Sequence, residues 1–130
     1  MATMTIPVSW LVWLYVAFVV KHLVADFILQ TGWMAIGKGQ SRDWLLPLSV
    51  HAGIHAVLTL LLVLVVKPSL WGLGPLDFVI HCAVDRGKAL ATTGLGLTEK
   101  DNAWWWLLGV DQALHQLTHF AFILALLLAP

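Results

Sequence analysis

Six histidines occur in the 130 residues, and each belongs to a set spaced by four. His22 precedes Asp26 and Gln30, His51 precedes His55, His81 precedes Asp85, and Asp111 precedes His115 and His119. On a helix, residues four apart lie on one face, one turn above the other. Imidazole and carboxylate are the usual protein ligands of zinc, manganese and iron. Helix bundles build such centres from inward-facing residues of several helices. The candidate metal ligands are therefore His22, Asp26, His51, His55, His81, Asp85, Asp111, His115 and His119. These groups exceed what one tetrahedral ion takes, which points to a centre of two or even three ions. The mixture of nitrogen and oxygen donors argues against a closed structural zinc site. It favours zinc first, with manganese or iron as alternatives.

The chemistry open to such a centre is hydrolysis. Paired divalent ions about 3.5–4 Å apart can activate a bridging water and stabilise both the attacking and the leaving oxygen. Asp26, Asp85 and Asp111 are the candidate general bases. Lys88 stands three residues after Asp85 and shares its face, which suits it to clamp an anionic substrate. The competing account of Lys88 is charge compensation for the neighbouring aspartates. Gln30 and Gln112 are candidates for hydrogen bonds that orient ligands. A single His–Asp pair on one helix is usually just a hydrogen-bonded pair. Four such faces at matched depth need a common partner, and a metal is the simplest one.

The elements that must position these faces are membrane helices. The chain is 60% hydrophobic and 11% charged, against about 45–50% and about 25% in soluble domains. Its mean hydropathy is +0.87. Seven basic and seven acidic residues cancel, so no basic surface suggests nucleic-acid binding. One cysteine, Cys82, excludes an intrachain disulfide and reads as a small packing residue. The sequence predicts a single all-α domain over residues 1–130, an integral membrane four-helix bundle of up-down topology. Its spans cover about 7–30, 45–66, 75–93 and 104–128. The first lacks the basic leader and cleavage site of a secretion signal. Gly37–Asp43 and Gly94–Asn102 read as polar loops. Lys21 is expected to snorkel toward headgroups, and Gly53 to allow close helix approach. Trp10, Trp13 and Tyr15, and again Trp104, Trp105 and Trp106, mark interfaces.

In an up-down bundle all four polar faces fall toward the side of those two loops, one to three turns deep. Lys38, Arg42 and Lys100 lie on that side, against Lys67 on the other. The positive-inside rule then places the polar loops in the cytoplasm and both termini outside.

The ordered set His22-x-x-x-Asp26-Phe-x-Leu-Gln30-Thr-x-Trp33, His51 and His55, Asp85-x-x-Lys88 and Asp111-Gln112-x-x-His115 resembles a small bacterial and phage membrane family, domain of unknown function 3307. The resemblance covers essentially the whole chain. It implies a polytopic protein of the bacterial inner membrane and carries no assigned reaction. More loosely, the pattern is similar to membrane-bound metal-dependent hydrolases and to helical zinc-dependent phospholipases C.

The leading expectation is thus a membrane-embedded metal-dependent hydrolase acting on a lipid-linked phosphate or ester near the cytoplasmic headgroups. Membrane lipid is the expected partner, and association of copies is left open. The alternatives are a divalent-cation or proton transporter, a haem-binding electron carrier, and a non-catalytic subunit with a polar core. Transport is disfavoured by the apolar stretches Val57–Val66 and Phe120–Leu128, which offer no polar relay.

Overall fold

The computed structural model describes residues 5–130, and every regular element among them is helical. Of the single domain expected over 1–130, residues 1–4 lie outside the described residues. Helix α1 (Val8–Leu23) begins after Pro7 and runs into a π-helical turn, Val24–Ile28. Helix α2 (Gly32–Gly37) is short and starts at Thr31, whose hydroxyl accepts the Met34 N–H at 3.4 Å. Helix α3 (Leu45–Val66) stops before Lys67-Pro68, because proline disfavours helical backbone in the residue before it. Helices α4 (Leu73–Gly94) and α5 (Asn102–Leu128) complete the chain.

The second expected span coincides with α3. The third and fourth begin two residues earlier than expected, and α2 fills the segment ahead of the Gly37–Asp43 connection. The first span ends sooner than expected. Past the π turn the backbone leaves the helix, so Gln30 does not stack on the face of His22 and Asp26. Its side-chain amide instead donates to the Asp26 carbonyl at 3.2 Å.

The four long helices touch in a closed cycle: α1 against α3, α3 against α4, α4 against α5, and α5 against α1. At one end an apolar cluster fills the middle, built from Leu14 and Phe18 of α1, Val63 of α3, and Phe122, Ile123 and Leu126 of α5. It joins the middle of α1 to the ends of α3 and α5, with Leu73 and Ile80 of α4 packed alongside. That pairing of starts with ends follows from the short links between successive helices. Gly74 lets α3 and α4 approach, since a Cβ there would lie 2.8 Å from Leu60 Cβ. Gly53 does not play this part: a Cβ at that position meets nothing within 4 Å.

The remainder of the interior is mostly polar, with Ala25, Met34, Leu48 and Ala52 buried among the polar groups. His51 and His55 are 0% exposed and His81 is 1%, whereas Val65 on the outer surface is 84% exposed. Val12, Trp13, Leu61, Val79, Val110 and Leu117 also face outward. This reverses the usual arrangement of a water-soluble domain. Two helical stretches, Val8–Ile28 and Leu45–Val66, are long and apolar enough to cross a membrane, with mean hydropathies of 1.8 and 2.2.

Candidate metal centre

Each long helix delivers its chemistry from the face that its four-residue spacing dictates. The π turn of α1 is a local exception with a consequence. Its Leu29 N–H bonds back to the Val24 carbonyl at 2.9 Å, five residues away, and such turns concentrate at functional sites. The turn contains Asp26. The Asp26 Oδ2 atom lies 3.1 Å from His22 Nε2, and Oδ1 lies 2.8 Å from His55 Nε2 and 3.5 Å from His51 Nε2. One carboxylate thereby joins α1 to α3.

His81 of α4 completes the group. Its Nε2 stands 3.3 Å from His51 Nε2. Its ring is stacked between those of His55, at 4.0 Å, and His115, at 4.1 Å. The sandwich fixes the ring plane. Asp26, His51, His55 and His81 each offer one ligand atom, and these atoms lie within 4.8 Å of one another. Zinc–ligand bonds of about 2.0–2.1 Å in a tetrahedron put neighbouring ligand atoms about 3.3 Å apart. Three of the six pairwise separations, 2.8, 3.3 and 3.5 Å, bracket that value. Three imidazoles and one carboxylate are also a donor set that zinc accepts.

A second set, His81, Asp85 and His115, overlaps the first. Asp85 Oδ1 is 3.0 Å from His115 Nε2, and Asp85 Oδ2 accepts from the Lys38 ammonium at 2.8 Å. Both sets use His81. A neutral imidazole nitrogen has one lone pair to give, so the two sets cannot both be complete at one moment.

The other expected ligands lie around these sets. His22 Nε2 is 3.1 Å from Gln112 Oε1, and the Gln112 amide donates to Asp111 Oδ2 at 3.1 Å. Gln112 therefore links α1 to α5 through two candidate ligands, as an orienting group would. Asp111 is paired with Lys88 at 3.1 Å, and His115 Nε2 is 3.7 Å from its Oδ1. Lys88 thus compensates an aspartate, but of α5 rather than of its own helix. The Nδ1 atoms of His22, His51, His55, His81 and His119 are buried without a hydrogen-bond partner among the described residues. The polar contacts of these rings run through Nε2, toward the ligand sets for the first four and toward Lys21 for His119.

His119 is not gathered into either set. Its Nε2 lies 3.3 Å from the ammonium of Lys21, and its ring packs on Phe18 at 5.3 Å. Lys21 does not snorkel outward. It is 6% exposed and donates to Asp77 Oδ2 at 3.0 Å, where the Thr59 hydroxyl also donates at 2.6 Å. Two opposite charges sealed in an apolar interior lower each other's cost of burial. Asp77 and Thr59 were absent from the sequence-based site, as was Lys38, counted there only as a loop charge. Arg86 is also accounted for locally: it lies 4.0 Å over the Trp44 ring and donates to the Gln40 carbonyl at 2.9 Å.

The polar column therefore has a definite order. Lys38 and Asp85 stand at the loop side, the two overlapping ligand sets come next, and the Lys21–Asp77 pair lies below them. The apolar cluster of Phe18, Val63 and Ile123 closes the other end.

The family described as protein of unknown function (DUF3307) matches residues 14–129. The chain belongs to this DUF3307 family. The match takes in the second part of α1, the whole of α3, α4 and α5, and with them every candidate ligand. Comparison with curated proteins and with solved structures gives no match. Membership of DUF3307 thus fixes the kinship of the chain and names no reaction, so the chemistry has to be argued from the side chains.

Proposed function

We propose that this chain is a membrane-embedded, metal-dependent hydrolase whose substrate is a lipid-linked phosphate or ester at the headgroup level. The observation that carries the reading is the convergence of Asp26, His51, His55 and His81 from three helices onto one point, with ligand separations that suit a tetrahedral ion. One divalent ion, zinc first, is the reading that the shared His81 supports, in place of the two or three ions expected from ligand number alone.

The bilayer setting rests on the inverted exterior. Helices α4 and α5 have 22 and 27 residues, lengths of roughly 33 and 40 Å at 1.5 Å per residue. Each could span a core of about 30 Å. Their polar groups are turned inward, where charged residues of membrane bundles belong. Four spans with the polar loops in the cytoplasm and both termini outside follow from this reading and from the positive-inside count.

A divalent ion bound there would supply Lewis-acid activation of water or of a phosphoryl oxygen by expanding from its four side-chain ligands to a fifth. The side chains around it divide the remaining tasks. Asp85 lines a cavity of about 230 Å³ together with Lys38 and Lys88, at the loop side of the ligand sets. The two ammonium groups hold the phosphate. Asp85 accepts the proton of the attacking water as the new P–O bond forms, and returns it to the departing alkoxide as the old P–O bond breaks. Asp26 serves as ligand, while Asp111 positions Lys88 and His115. Transport is the weaker reading, because the apolar cluster leaves the polar column closed at one end.

The test is turnover. Purified zinc-loaded protein in detergent is expected to release phosphate from long-chain alkyl or isoprenoid phosphates, with loss of activity in His81→Ala and Asp85→Asn. Full zinc occupancy with no hydrolysis across a broad panel of lipid phosphates and esters would contradict the proposal.

A further inference from the structure

Between α4 and α5 a groove of about 360 Å³ opens on the outer surface, lined by Ala83, Gly87 and Ala91 on one side and by Leu107, Val110 and Leu114 on the other. It is almost wholly apolar, yet Lys88 and Asp111 also line it. Lys88 lines the loop-side cavity as well, so groove and cavity share one residue. Asp111 is 3% exposed, and its Oδ1 has no hydrogen-bond partner among the described residues.

Gly87 is the informative residue. Glycine within a helix costs about 1 kcal/mol relative to alanine, and helix packing is the ordinary reason to accept that. Gly74 has this reason, with Leu60 directly against it; Gly87 does not, since a Cβ there meets nothing within 4 Å. What Gly87 provides is depth in the groove. Lys88 stands in the last two turns of α4, near Trp104, which shares its cavity, and so at the level of headgroups.

We infer that the α4–α5 groove seats the hydrocarbon chain of a single-chain amphiphile whose phosphate lies in the cavity between Lys38 and Lys88. The groove offers a chain an apolar lining, and the lysines match an anion at its end. The phosphate is the group presented to Asp85, which lines that cavity. This rests on the hydrolase reading for its consequence, a preference for lipid phosphates over esters, but the binding itself requires no turnover.

The test uses full-length protein in a neutral maltoside detergent, with metal chelated so that nothing is hydrolysed. The probe is a long-chain alkyl phosphate bearing a photoreactive diazirine in its chain. Labelling is expected on Leu107, Val110 and Leu114, and is expected to fall at least tenfold in Gly87→Trp. Gly87→Leu, a smaller side chain in the same open space, should give an intermediate loss. The alkyl alcohol of equal length should label more weakly than the phosphate, and Lys88→Gln should remove that difference. Inorganic phosphate at the same concentration should not compete. Label on other faces, unchanged labelling in both Gly87 variants, full competition by inorganic phosphate, or protection of the groove by a second copy of the chain would each overturn the inference. Labelling as expected, joined to no hydrolysis of the same probe by the zinc-loaded protein, would sink the hydrolase reading alone and leave the lipid-phosphate site standing.

Discussion

Replacing Lys21 by methionine keeps the length of the side chain and removes its charge. In the native interior the Lys21 ammonium stands 3.0 Å from Asp77 Oδ2, and the two side chains are 4% and 2% exposed. At that distance the gross attraction is ~5 kcal/mol for an effective dielectric constant of about 20. Most of it offsets the desolvation of the two groups, so the pair itself contributes little net stability. Removing one partner is a different matter, because Asp77 is then left charged and sealed. The expected loss for Lys21→Met is about 3–5 kcal/mol. Thr59 still donates to Asp77, which holds the loss within that range. The double variant Lys21→Met with Asp77→Leu removes both charges and should recover most of the deficit. Equilibrium unfolding in mixed micelles, followed by circular dichroism, measures both. A single variant within 1 kcal/mol of the wild type, or a double variant no better than the single, would refute the reasoning.

Three further outcomes follow. His81→Ala removes the one residue that both ligand sets share, and zinc affinity should fall by more than the 10–100-fold typical of losing an orienting neighbour. His119→Ala, outside both sets, should leave zinc stoichiometry unchanged; isothermal titration distinguishes the two. Gly74→Ala places a Cβ 2.8 Å from Leu60 Cβ and should cost about 1–3 kcal/mol. Gly53→Ala, where a Cβ meets nothing within 4 Å, should instead be neutral or stabilise by up to about 1 kcal/mol. Thr59→Val removes a hydrogen bond to a buried carboxylate and should cost roughly 1.5–3 kcal/mol in the same unfolding assay.

Spacing by four made the faces of His51 with His55 and of His81 with Asp85 legible, because helical periodicity alone decides which residues share a face. The long helices were legible for the same reason that apolar runs are: their outer residues meet no polar demand. The π turn at Val24–Ile28 left no such mark. It shifts the register after His22, sends Gln30 off the helix, and turns Asp26 toward His51 and His55. Lys21 and Asp77 were misread or passed over because their partnership spans 56 residues. Lys21 lies in the last turn of α1, where a lysine ordinarily reaches outward, and Asp77 sits alone among apolar neighbours near the start of α4. The available signal was that both are charges of opposite sign set in apolar stretches, and buried charges rarely persist unpaired. His119 illustrates the converse: its spacing matches that of a ligand, but the long arm of Lys21 reaches its Nε2 first.

The most direct measurement is elemental analysis of the purified, zinc-equilibrated chain, joined to X-ray absorption at the zinc edge. The account predicts one zinc per chain, bound by about three nitrogens and one oxygen at 2.0–2.1 Å, and lost in Asp26→Ala and His55→Ala. Protein that retains no transition metal after loading, or retains it undiminished in both variants, would contradict it.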